Sequence, residues 1–235
     1  MFERIKKAFF GEPRDEARDT RGPPSRTGAS PVSEWAATRG FGFSANPDGD
    51  GLALEGRING KRWRIELGRP TRKFIRNEEL RGRAELGIDE DIVVLVLNRS
   101  LKESLEKAAY SIITDPLQTT ADPNLPEEMR WLAMYDEVAW GSLPETFWTR
   151  FAVVADRREN ALAWIDPELA RMMMDWPEPA PSAQTPFMMM LMRGKAYLRM
   201  EYQPADVPTL QHASIVFTAA CESAMGALGA PINRT

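Results

Sequence analysis

The chain has little with which to do thiol or metal chemistry. Its 235 residues include one cysteine, Cys221, and one histidine, His212. A single cysteine closes no intramolecular disulfide, and one of each residue cannot supply the four ligands of the usual structural zinc site. No phosphate-cradling glycine loop, no GxSxG and no HExxH is present. No metal or other cofactor is therefore expected. No run approaches the roughly 20 apolar residues of a membrane-spanning helix. The N-terminus lacks the uninterrupted apolar stretch and small-residue cleavage site of a secretory signal. These absences point to a cytoplasmic protein.

What is present is ordinary in bulk and uneven in distribution. Apolar residues at 43% and charged residues at 27% are globular values, so a sizeable core can form without staples. Arginine outnumbers lysine 23 to 7, which reads as the codon bias of a GC-rich bacterial genome. The net charge of −4 hides a split. Residues 57–83 hold ten cations against three acids, whereas residues 100–235 hold 11 cations against 18 acids. Such a split suits an anionic partner, or one part of the protein docking on the other.

Leu52–Leu67 is the best-specified stretch. Asn59-Gly60 is a strong hairpin signal, because both central residues of a type I′ turn need positive φ. That turn sets Leu54 opposite Ile65 and Leu52 opposite Leu67 on an apolar face. The other face carries Arg57 opposite Arg62 and Glu55 opposite Arg64. Residues 79–86 alternate as a half-buried strand, and Ile92–Leu97 reads as a central strand buried on both sides. Ser100 and Glu103 form a capping-box signature for a helix reaching about Thr114. Pro126 suits the first position of a second helix, and Phe151–Ala155 reads as another strand. Asp166-Pro167 starts a further helix by cap and proline. A second hairpin is expected around Arg193-Gly194-Lys195. Asp206 then caps a final helix, about Val207–Leu228, stopped by Gly229.

Ahead of this body, residues 1–11 read as a short amphipathic segment with Phe2, Ile5 and Phe9 on one face, an apolar partner surface. Residues 12–31 are rich in Arg, Asp, Pro, Gly and Ser and read as a disordered linker. A short helix from Ser33 and a loop over Gly40–Gly51 follow. Asn46–Gly51 resembles the front of a calcium loop, but Arg57 stands where a bidentate Glu is needed. The organisation expected is a single α+β body over residues 32–235, with a subdivision near 115–125 left open. Its antiparallel sheet or sheets carry helices on one face. A hairpin followed by a capped helix occurs in each half, a hint of pseudo-duplication.

The candidate site is the basic stretch: Arg57, Arg62, Arg64, Arg69, Arg72, Lys73 and Arg76, with Phe74 as a stacking surface. Like charges facing each other across a hairpin destabilise it, and a broken local rule is where function is expected. The methionines around Met172–Met174 and Met188–Met192 read first as core and second as an apolar partner site with Trp164, Trp176 and Phe187. His212 lies off its helix's apolar stripe and reads as a surface histidine. Cys221 lies on the stripe and reads as core. The functional expectation is a non-catalytic adaptor that binds a protein partner. The alternatives are an anion-binding module, in which the basic hairpin meets nucleic acid or an acidic membrane at the inner surface, and a carboxylate-based hydrolase.

Overall fold

The computed structural model describes residues 30–45, 51–112 and 127–229, with the backbone alone described at 110–112 and 127. The segment 1–11, with Phe2, Ile5 and Phe9, lies outside the described residues, as do nearly all of 12–31, the calcium-like turn at 46–50 and the stretch 113–126. In chain order the first half forms α1 (Pro31–Thr38), β1 (Gly42–Ala45), β2 (Leu52–Ile58), β3 (Lys61–Gly68), β4 (Glu79–Glu85), β5 (Val94–Asn98) and α2 (Arg99–Ile112). The second half forms α3 (Glu127–Met134), β6 (Asp136–Glu137), α4 (Glu145–Arg150), β7 (Phe151–Ala155), α5 (Arg158–Trp164), α6 (Pro167–Met174), β8 (Phe187–Met192), β9 (Lys195–Glu201) and α7 (Val207–Leu228).

The nine strands of the described residues join one antiparallel sheet in the order β1-β2-β3-β4-β9-β8-β5-β7-β6, which makes the fold α+β. The first hairpin has the register its turn dictates, with Leu54 opposite Ile65 and Arg57 opposite Arg62. Asn59 and Gly60 both adopt positive φ, 47° and 78°. The second hairpin uses the same device, with Arg193 at 50° and Gly194 at 70°. Its loop is therefore two residues rather than three, and Met192 pairs with Lys195.

Two cores flank the sheet. The larger takes the inward residues of every long strand, such as Leu54, Ile65, Leu80, Val96, Val153 and Leu198, and covers them with α5, α6 and α7. α7 is fixed at its start by Asp206, whose carboxylate accepts the Thr209 N–H at 2.8 Å. It is tied to α5 where the Trp164 indole donates to the Ala220 carbonyl (2.9 Å) and the Ser223 hydroxyl to the Trp164 carbonyl (2.6 Å). The smaller core lies on the reverse face, where Leu101 and Leu105 of α2 meet Leu95, Leu97, Ala152, Val154, Met188 and Met190. The principal helical layer thus lies on one face, and α2 and α3 add a second layer behind β5, β7 and β8. β5 has both faces buried because it sits between these layers. Each side chain so buried contributes about 1.5–3 kcal/mol, enough to make β5 the spine of this half.

Several local expectations are corrected. α1 begins at Pro31, which suits the first helical position, so Ser33 lies inside the helix. The Gly40–Gly51 loop contains β1, which pairs with β2. α2 begins at Arg99, so Ser100 sits in its first turn and donates its hydroxyl to the Ala183 carbonyl (2.8 Å) instead of capping. Met173, Met188, Met189, Met190 and Met192 are buried, as are Trp164, Trp176 and Phe187. These residues are core and do not form an exposed apolar partner site.

Candidate binding surface

Among the described residues no helix covers the reverse face of β2, β3 and β4, unlike that of β5, β7 and β8; β9 lies at the boundary, where Glu128 of α3 stands 3.7 Å from Arg199. Strand alternation decides what it displays. In β3 and β4 the apolar positions point to the main core, so Arg64, Glu66, Arg81, Arg83 and Glu85 point outward. β9 adds Tyr197 and Arg199 by the same rule. Register aligns these in rows across the strands: Glu55, Arg64, Arg83 and Tyr197 in one, Glu66, Arg81 and Arg199 in the next. Together they line an open groove of ≈ 590 Å³.

Away from the hairpin tip, the cations of this face are already answered by carboxylates. Arg64 pairs with Glu55 and with Glu66 (2.6 Å), and Arg81 reaches Glu66 at 3.4 Å. Arg83 and Lys195 share Glu85, at 2.8 and 3.3 Å. Partial burial works to raise the Glu85 pKa, but hydrogen bonds from Arg83 and Lys195 hold it below the usual carboxylate range. The same hydrogen bond raises Arg83. Five arginines and three glutamates line the groove, so the pairing leaves it modestly positive.

At the far end of the groove the polar face turns inward. Glu79 is 0% exposed and Glu201 6%, and they face each other across β4 and β9. Glu79 accepts from Arg199 (2.5 Å) and from the Thr71 N–H and hydroxyl (2.6 and 2.8 Å). Glu201 accepts from the Arg76 N–H (2.8 Å) and the Asn77 amide (2.9 Å). Glu128 of α3, 1% exposed, takes Arg72 at 2.6 Å, and among the described residues its other oxygen has no partner. These acids hold the loop between β3 and β4 against the sheet.

The sequence candidates therefore separate. Arg57 and Arg62 face each other at the hairpin tip; Arg57 donates to the Gly60 carbonyl (2.9 Å), and Arg62 has no carboxylate partner among the described residues. Arg64 sits in the middle of the groove. Arg69 follows β3, its carbonyl 3.5 Å from Arg81. Arg72 is consumed by Glu128. Lys73 and Arg76 lie in another groove, described below. Sequence reasoning left out Tyr197, Arg199, Glu79, Glu128 and Glu201. The outward positions of β9 were legible from its alternation. The carboxylates were not, because their partners are distant in sequence.

His212 is half-buried, not on the surface. Its Nε2–H donates to the Met172 carbonyl (2.8 Å) and its ring lies 4.6 Å from that of Trp176. Burial lowers its pKa. Cys221 is fully buried, and burial pushes its thiol pKa far up. Among the described residues no group of three or more His, Cys, Asp or Glu side chains is placed to hold a metal ion, and no helix is long and apolar enough to cross a membrane. No protein-family model matches the chain, and neither the curated proteins nor the solved structures contain a match.

Proposed function

We propose that the chain is a non-catalytic binding protein that docks a protein partner on the open face of β2, β3, β4 and β9. One observation carries this: a sheet face that no helix of the described residues covers at β2, β3 and β4, on which Arg64, Arg81, Arg83 and Lys195 are each set beside a carboxylate. A phosphate backbone is bound by cations free to replace its counterions. Cations already paired within the face favour a partner that also presents both signs. Tyr197 and five arginines belong to the residue types that dominate protein interfaces. The tip residues Arg57 and Arg62 would meet an acidic rim on that partner. The adaptor reading is thereby extended from the basic hairpin to β4 and β9.

The test is site-specific photo-crosslinking in cells, with the photoreactive residue at Tyr197 and, as control, at Glu222 on α7. A discrete protein adduct from position 197 alone, lost on Arg83→Glu substitution, supports the reading. Adducts only to nucleic acid, or the same adducts from both positions, would overturn it.

A further inference from the structure

A second groove, of ≈ 480 Å³, shares no lining residue with the open sheet face. One wall is the loop between β3 and β4, with Lys73, Phe74 and Arg76; the other is the turn ahead of β8, with Ser182, Gln184 and Thr185. Both walls hang on buried polar side chains. Glu201 holds the first through the Arg76 N–H and the Asn77 amide. Asn98, 2% exposed, holds the second: its amide donates to the Ala183 carbonyl (2.8 Å), and its oxygen accepts the Phe187 N–H (3.0 Å). The groove is thus framed before any ligand arrives, which lowers the cost of binding.

Its charge is unbalanced. Glu201 is the one carboxylate among its lining residues, and both its oxygens are engaged on the loop. Among the described residues neither the Lys73 ammonium nor the Arg76 guanidinium has a carboxylate partner. This contrasts with Arg64, Arg72, Arg81, Arg83 and Arg199, which are all paired. Phe74 packs partly against the smaller core and still lines the groove beside the two cations. The amides of Gln184 and Gln203 add neutral donors at its edge.

We propose that this groove binds a small aromatic phosphate monoester, with the phosphate on Lys73 and Arg76 and the ring on Phe74. A phosphate monoester carries a charge of about −1.5 to −2 at neutral pH, which two cations match and a carboxylate does not. The volume falls within the roughly 300–1,000 Å³ of small-molecule sites. An aromatic side chain beside a phosphate-binding pair gives the stacking surface that nucleosides and phenyl rings share.

The experiment is calorimetric titration of the full chain with phenyl phosphate, adenosine 5′-monophosphate and inorganic phosphate. At least one ester should bind saturably at one site, about 10-fold or more tighter than inorganic phosphate. The Lys73→Ala/Arg76→Ala variant should lose that binding by at least about 10-fold, with an unchanged melting temperature, because neither side chain is ion-paired within the described fold. Phe74→Leu should bring the ester and inorganic phosphate within about 2-fold of each other. Arg39→Ala, just past α1 and outside both grooves, should change nothing. Tighter binding of the nucleotide assigns a nucleoside ligand, and tighter binding of phenyl phosphate a phenolic one. An ester that binds no better than inorganic phosphate, or that binds the double variant equally well, would overturn the proposal.

Discussion

Glu79 and Glu201 face each other on neighbouring strands, both buried, and neither is the other's problem, because each is satisfied from a different side. Glu79 is met by Arg199 and Thr71, Glu201 by the backbone of Arg76 and the amide of Asn77. Removing one partner from a buried pair leaves an uncompensated charge and costs about 3–5 kcal/mol. Arg199→Ala should therefore destabilise the protein by that order. Arg64→Ala, whose guanidinium is paired but exposed, should cost under about 1 kcal/mol. Urea denaturation of the two variants checks the contrast; equal costs would sink it.

Gly82 lies on β4 against the Phe217 ring of α7. A Cβ there would stand 2.9 Å from the Leu198 Cβ and 3.1 Å from the Phe217 ring, both in the packed core. Gly82→Ala should destabilise by about 1–3 kcal/mol through overpacking. Combining it with Phe217→Leu should recover part of that loss, since the smaller side chain yields the space. Additive losses in thermal denaturation would show that the strain lies elsewhere.

Burial holds the His212 imidazole below its ordinary value, while its bond to the Met172 carbonyl and the nearby Asp175 pull the other way. The folded protein thus prefers the neutral ring and the unfolded chain takes the proton more readily. Stability from this group is complete above the unfolded value of about 6.5 and is lost as the pH falls through it toward the folded pKa. The denaturation midpoint should fall between pH 7.5 and 5.5, and it should fall less in His212→Gln, which keeps a donor for Met172 and cannot titrate. An identical pH slope in the variant would remove His212 from the account.

The sequence reading succeeded where the signals are local. The Asn59-Gly60 turn sets a register that carries Arg57 opposite Arg62, and Asp166 and Asp206 cap the helices they precede. β1 escaped it because four residues, Gly42–Ala45, carry no alternation of their own and borrow their pairing from β2. The second helical layer escaped because the apolar run of β5 says that both faces are buried but not which helix does the burying. In the candidate site, alternation places the outward arginines. It is silent on Glu79 and Glu201, whose partners Arg199 and Asn77 lie 120 and 124 residues away. The basic stretch therefore read as one continuous patch, whereas the fold spends Arg64 and Arg72 on its own acids and, among the described residues, leaves Lys73 and Arg76 without a carboxylate partner.

The strand order has a consequence for how the molecule is made. β4 and β5 are consecutive in the chain, yet β9 and β8 stand between them in the sheet. During synthesis the first four strands can pair among themselves, and β5 can pair with β7, but these two sets share no ladder until residue 201 has left the ribosome. Until then β4 presents an unpaired edge, the kind that recruits foreign strands. The C-terminal hairpin is the keystone of the sheet, and a chain arrested before it would be a nascent species most in need of a chaperone.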